Sequence, residues 1–277
     1  EVALPEDVAQ HLLRVLRLEI GDACVLFNGD GHDYDARIVH LGKREARAEI
    51  VAARRIDNES PLRITLLQGI ARGEKMDLIL QKATELGVAH IVPLVSERTE
   101  VRLDEDRAGR RVAHWERVVQ GACEQSGRAV VPSIAAPVAL PAWVASLAGD
   151  DTQRFALHPE GAQPLRAFEL DASRPIVLAV GPEGGFGERD LDALAQGGFQ
   201  RLSLGPRILR TETAGLAAIE SDRQGAGAGA GLEEEIDHGL AAQRGHHAGE
   251  IADPGDGRSM ASESLATGNE PMTFIRI

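Results

Sequence analysis

The chain has 277 residues, enough for one large domain or two modest ones, and a formal charge of −13 from 30 Lys/Arg and 43 Asp/Glu. No run of about 18 apolar residues offers a membrane span, and the start lacks the basic-then-apolar pattern of a secretory signal, so a soluble cytoplasmic protein is expected. Cys24 and Cys123 stand alone, without the spacing of a disulfide framework or a zinc site.

The charge is unevenly spread. Residues 1–219 carry 26 basic against 32 acidic residues, while residues 220–277 carry 4 against 11. An acidic total therefore leaves room for a local basic face on the body, for which Arg14 with Arg17, Lys43-Arg44 with Arg47, and Arg54-Arg55 are the groups at hand.

Residues 1–58 read as a small β-barrel or sandwich. A short helix through Val8, Leu12, Val15 and Leu16 carries Arg14 and Arg17 near its end. Strands at Ala23–Phe27, Tyr34–Val39 and Ala46–Val51 follow, the first two joined by the turn Asn28-Gly29-Asp30-Gly31. A first strand is expected to be missing from the abrupt start. Asn58-Glu59-Ser60-Pro61 is a linker. A second domain, residues 61–219, then alternates strand and helix. Arg63–Gln68 is a buried strand, Glu74–Leu86 a helix stopped by Gly87, and Ile91–Val95 the next strand, the grammar of a parallel sheet. A helix over 110–126, a short strand at Val130–Ile134, a helix near Pro141–Leu147 and strands at Phe155–His158 and Ile176–Val180 continue it. Glu188–Gln196 is a helix and Arg201–Leu204 the last of five or six strands.

Residues 220–277 lose this pattern. Gly and Ala alternate over Gly225–Gly231, an acidic run follows at Glu233–Glu235, and the rest is polar, so disorder is expected. A shifted reading frame is the other explanation. Ser221–Gly229 back-translates, one base later, into Ala-Ile-Ala-Arg-Ala-Leu-Ala-Leu-Ala, which continues the helix begun at Thr213.

The chemistry concentrates in two loops. Each follows an apolar strand with Gly-Pro: Val180-Gly181-Pro182-Glu183-Gly184-Gly185-Phe186, and Leu204-Gly205-Pro206-Arg207-Ile208-Leu209-Arg210-Thr211-Glu212-Thr213-Ala214. Glycines at strand ends let backbone approach a ligand closely, and amides at helix starts favour polar or anionic groups. A dinucleotide fingerprint is not met by Gly69-Ile-Ala-Arg-Gly-Glu74. No phosphate-cradling G-x-x-x-x-G-K-[ST] occurs, Ser203 has no nucleophile-elbow context, and the histidines lack metal-ligand spacing.

These two loops closely resemble the signature of the RsmE family, ribosomal small-subunit RNA methyltransferases of the SPOUT class. So do Arg72-Gly73-Glu74-Lys75-Met76, Gln81–Gly87, Ser96-Glu97-Arg98, Ala122–Arg128, Leu157-His158-Pro159 and Val15-Leu16-Arg17. The likeness covers roughly residues 1–219. It implies a PUA-like RNA-binding β-barrel followed by an α/β methyltransferase domain whose parallel sheet is closed by a trefoil knot, against the usual rule. It also implies transfer of a methyl group from S-adenosylmethionine to N3 of a uridine in 16S rRNA, by a homodimer, with no metal and no membrane.

By the same resemblance, Leu157, His158, Gly181 to Gly185, Ser203, Leu204, Gly205, Arg207 and Leu209 to Ala214 line the cofactor cleft. Uridine N3 bears a proton at neutral pH, so the reaction needs a base or stabilisation of the developing anion. Arg210 is the candidate for the anion, and Glu183 or Glu212 for the proton. Arg14, Arg17, Arg72, Arg98 and Arg128 are candidates for RNA phosphates. The competing readings are a non-catalytic RNA-binding or ribosome-assembly protein on the same fold, and a family member inactivated by its altered C-terminal helix.

Overall fold

A computed structural model of the chain describes residues 1–100, 105–147, 149–227 and 274–276. The first part consists of β1 (Val2–Leu4), helix α1 (Glu6–His11), β2 (Ala23–Phe27), β3 (His32–Leu41) and β4 (Ala46–Arg55). Helix α1 runs on through one π-helical turn, Leu12–Leu16, and stops where Arg17 takes a left-handed conformation (φ 53°) and its N–H donates to Leu12 O. The β2–β3 turn is set by its own side chains. Asn28 Oδ1 accepts the Asp30 N–H (3.2 Å), and Asp30 accepts the His32 N–H (2.9 Å) and the Tyr34 hydroxyl (2.6 Å).

The second part contains β5 (Ile64–Gly69), α2 (Glu74–Glu85), β6 (His90–Val95), α3 (Glu105–Ser126), β7 (Ser133–Ile134), β8 (Val138–Ala139) and α4 (Leu140–Ala145). It goes on with β9 (Gln153–Leu157), β10 (Gln163–Pro164), β11 (Ile176–Val180), α5 (Glu188–Gln196), β12 (Gln200–Ser203) and α6 (Thr211–Gly227). One further strand, β13 (Phe274–Arg276), returns to the first sheet.

Two sheets result. The first is a curled antiparallel sheet of order β1-β4-β3-β2-β13, packed on α1 around Leu4, Val8, Leu12, Leu26, Ile38 and Ala48. The second is parallel, of order β10-β12-β9-β11-β5-β6-β7, with β8 also on β6. Alternation along its strands feeds two cores. Leu66 and Leu178 face one side with Ile79, Trp115 and Ile219, so α2, α3 and α6 cover it. Leu67 and Val177 face the other with Val144 and Leu194, where α4 and α5 lie. Helices on both faces are what a parallel sheet of such apolar strands requires. Five strands have four residues or more, and three two-residue strands flank them.

Three features depart from the sequence reading. A short strand that the pattern did not single out, β1, precedes α1 and is paired to β4 from Val2↔Ala48 to Leu4↔Ala46. Helix α6 continues to Gly227, past the point where the periodicity fails. It is already nucleated by Ala218 and Ile219, both fully buried, and adding residues to a formed helix is cheap even when glycine costs about 1 kcal/mol each. The polar tail also supplies β13. Phe274 and Ile275 are buried, the Phe274 ring lies 5.0 Å from that of Phe27, and the backbone pairs with the open edge of β2. An unpaired edge beside an apolar hollow captures a strand that three residues in a polar context do not announce. The remainder of the segment expected to be disordered or frame-shifted, 228–273, lies outside the described residues.

Candidate functional site

The C-terminal ends of β5, β9, β11 and β12 share one edge of the parallel sheet, where ligands of open α/β sheets bind. Along this edge runs a cleft of about 570 Å³. Its walls are the loop after β9 (His158), the turn after β11 (Gly181 to Phe186) and the loop from Ser203 into the first turn of α6, with apolar surface from Leu157, Leu202, Leu204 and Leu209. The size and the mixture of apolar walls with backbone polar groups suit a small-molecule cofactor.

Close packing of backbone makes the cleft. Gly185 N–H donates to Pro182 O (2.8 Å), closing the turn, with Gly185 at φ 70°. A Cβ on Gly69 would sit 2.4 Å from Pro182 N, so the last residue of β5 can touch the loop after β11 only as glycine. Gln68, fully buried in β5, ties three segments together. Its Nε2 donates to Gly69 O (2.9 Å) and Thr211 Oγ1 (3.0 Å), and the Thr211 hydroxyl donates to Gly181 O (2.6 Å). On the far side, Asp190 of α5, also buried, accepts the Glu97 N–H (3.0 Å) and the Gly187 N–H (3.0 Å). The segment Ser96-Glu97-Arg98 is thereby fixed, and Arg98 Nη1 donates to Gly184 O (3.0 Å).

Charge gathers at one end of the cleft. Lys75, in the first turn of α2, places Nζ 3.2 Å from Glu183 Oε1 and 3.9 Å from Glu212 Oε2. Glu183 also accepts the Arg72 N–H (3.1 Å). Burial pushes the Glu183 carboxyl up, but the backbone amides of Glu183 and Arg72 and the Lys75 ammonium outweigh it and hold the group below its ordinary value. Glu212 is different: its side chain is only 15% exposed, and among the described residues its Oε2 has no hydrogen-bond partner. Its Oε1 lies 3.9 Å from Nη1 of Arg210, whose side chain is 83% exposed.

Of the residues expected at the cofactor site, Leu157, His158, Gly181, Pro182, Glu183, Gly184, Gly185, Ser203, Leu204, Gly205, Arg207, Leu209, Arg210, Thr211, Glu212 and Ala214 line the cleft. Thr213 is exposed and does not, because the helical turn that brings Thr211, Glu212 and Ala214 inward carries the intervening position away. Lys75 lines the cleft and Gln68 supports it. The motif spellings pass over the role of both, since neither lies in a Gly-Pro loop.

The arginines expected to hold RNA divide. Arg14 and Arg17 are exposed at the end of the first helix. Arg72 is exposed and ion-paired with Glu100, and Arg98 serves the cleft turn. Arg128 is a correction, being 4% exposed: it donates to Glu59 (3.0 Å) and to the carbonyls of Thr84 (2.8 Å) and Val88 (3.0 Å). A guanidinium buried with four of its five N–H groups already bonded is not presented to a phosphate, and it pins the linker to the end of α2.

Among the described residues no group of three or more His, Cys, Asp or Glu side chains could hold a metal, and no helix is long and apolar enough to cross a membrane.

Comparison with known proteins agrees with this geometry. A family model described as an RNA methyltransferase domain matches residues 58–221, and one described as an RNA methyltransferase PUA domain matches residues 4–51. Ribosomal RNA small subunit methyltransferase E of Synechocystis is 34% identical over 79% of this chain and 71% of its own length. The Aquifex aeolicus protein of the same name is 34% identical over 78% of this chain and 91% of its own. The crystal structure of ribosomal RNA small subunit methyltransferase E from Neisseria gonorrhoeae bound to S-adenosyl methionine is 41% identical, with a TM-score of 0.74, covering 80% of this chain and 91% of that one. With both sheets, the cleft and most of each relative's length accounted for, the chain belongs to the ribosomal RNA small subunit methyltransferase E family.

Proposed function

We propose that this chain methylates N3 of a uridine in the 16S rRNA of the small ribosomal subunit, using S-adenosylmethionine. The observation that carries the reading is the cleft at the sheet's C-terminal edge, with two glycine-rich loops as walls and Lys75, Glu183, Arg210 and Glu212 at one end. Its residues fit the cofactor: Leu157, Leu202, Leu204 and Leu209 give apolar surface for a purine, and the Gly181–Gly185 and Ser203–Gly205 backbones bring polar groups close. When bound, the cofactor supplies an electrophilic methyl group on a sulfonium that leaves as a neutral thioether.

The chain's own residues then have to unmask a nucleophile. The two candidate carboxylates differ in what already occupies them. Glu183 is held as an anion by Lys75 and an amide, whereas Glu212 Oε2 is buried and has no hydrogen-bond partner among the described residues, with Lys75 Nζ 3.9 Å away. Glu212 is therefore the acceptor for the N3 proton, and Arg210 offers charge to the uracil oxygen that becomes anionic. Exposed Arg14 and Arg17 contribute phosphate contacts from the end of the first helix. The enzyme acts as a homodimer, for which Ile208, 83% exposed at the lip of the cleft, provides apolar contact surface.

The test incubates the protein and S-adenosylmethionine with small subunits from cells lacking the modification, and maps the product nucleoside by mass spectrometry. A base-methylated uridine bearing the group on N3 is expected. A methyl on ribose or ring carbon overturns the N3 assignment, and RNA binding without cofactor binding in calorimetry supports the non-catalytic alternative instead.

A further inference from the structure

Along the cleft lie a cation, a carboxylate and a second cation: Lys75 Nζ is 3.9 Å from Glu212 Oε2, and Glu212 Oε1 is 3.9 Å from Arg210 Nη1. Each belongs to a different environment. Lys75 is anchored by Glu183 at 3.2 Å on rigid α2, Glu212 is buried on the first turn of α6, and Arg210 is exposed just before it. As hydrogen-bonding groups they read donor, acceptor, donor. The imide edge of uracil reads acceptor O2, donor N3–H, acceptor O4. Cytosine reads acceptor O2, acceptor N3, donor N4, which sets a lone pair against the Glu212 carboxylate and an amino group against a cation.

We infer that Lys75 is a further catalytic and specificity-determining residue, which with Glu212 and Arg210 forms a donor–acceptor–donor row that selects uracil by its imide edge. The inference rests on the N3 reading above and extends it to the choice of base. That Glu212 Oε2 has no hydrogen-bond donor among the described residues is the observation that calls for a ligand donor, because a buried acceptor without one costs about 1–3 kcal/mol. In the reaction the uracil N3–H bond breaks and its proton passes to Glu212 Oε2. The N3–CH3 bond forms as the sulfur–methyl bond breaks with its electron pair remaining on sulfur, and Glu212 returns the proton to solvent. Lys75 and Arg210 meet the charge that spreads onto O2 and O4, which is where a fixed cation lowers the barrier.

The experiment uses the full-length protein. Wild type, K75M, K75R and E212Q are assayed for methyl transfer into unmodified small subunits across pH. Their affinity is measured, in S-adenosylhomocysteine, for 16S fragments carrying uridine or cytidine at the position mapped with wild type. K75M is expected to lower kcat about 100-fold, the usual loss on removing one donor from a developing anion. The preference for uridine over cytidine should fall at least about tenfold. K75R should recover part of the rate, and E212Q, whose amide can donate to cytosine N3, should lose or reverse the preference. If Lys75 merely holds Glu183 in place, K75M will leave the base preference as in wild type, and the proposal is overturned. Failure of the N3 reading would register separately, as a wild-type product methylated elsewhere.

Discussion

Replacing Arg128 by alanine separates a structural role from the RNA contact that its sequence neighbourhood invites. The side chain is 4% exposed and donates to two buried carbonyls, Thr84 O and Val88 O, and to the Glu59 carboxylate. Each carbonyl left without a donor costs about 1 kcal/mol or somewhat more. Glu59, with 30% of its side chain exposed, can partly rehydrate, so its loss is about 1 kcal/mol rather than the full cost of an isolated buried charge. The sum is about 3–4 kcal/mol. With a urea dependence of about 3 kcal/mol per molar, the unfolding midpoint should fall by roughly 1 M. Lysine at this position offers a point charge in place of a fork, so R128K should recover less than half. Affinity of the folded variant for rRNA, and the slope of its logarithm against log salt, should match wild type. An unchanged midpoint, together with weaker RNA binding and a salt slope shallower by about one, would refute the reasoning.

Three further outcomes follow from the same geometry. Q68L removes the amide joining Gly69 O and Thr211 Oγ1, so calorimetry should show S-adenosylmethionine affinity reduced at least about tenfold, while Q68E retains the chain length but not the donors and should not restore it. F274A should cost about 3 kcal/mol in chemical denaturation, because it empties a buried site against Phe27; a loss below 1 kcal/mol would mean that β13 is not part of the folded unit. The depressed Glu183 carboxyl favours the folded state above its unfolded pKa, and that contribution disappears as pH falls through the lower folded value. E183Q should therefore be less stable than wild type at pH 7 by thermal denaturation, and the gap should narrow towards pH 3. A gap that widens on acidification would contradict the assignment of Lys75 and the Arg72 amide as its partners.

How much of this was legible in the sequence depends on the range over which each signal acts. The helix at Glu188–Gln196 was expected at the bounds observed, because its start and stop signals are local: acidic residues in the first turn, and Gly197-Gly198 after the last. Val180-Gly181-Pro182-Glu183-Gly184-Gly185 and the run from Leu204 to Ala214 announced the cleft for the same reason. A strand followed by a Gly-Pro loop carries its binding geometry in its own backbone, and only Thr213 of these residues turned out to lie off the cleft wall.

Partnerships between distant residues left no such mark. Gln68 reads as the end of an apolar strand, yet its amide meets Thr211 143 positions later. Arg128 reads as one more candidate for an RNA phosphate, and only its burial against Glu59 and the carbonyls of Thr84 and Val88 makes it a pin. Phe274 and Ile275 sit in a polar tail with no period to reveal them, and become a strand because β2 offers an open edge. Apolar pattern and turn chemistry along contiguous residues determined the alternation of strands and helices and the position of the two cleft loops, while the family was carried by the resemblance of their motifs. Which charges pair, which acceptor stays free, and which remote strand completes the first sheet were decided only when the chain packed, because those free energies depend on burial and approach distance, and neither is a property of sequence neighbours.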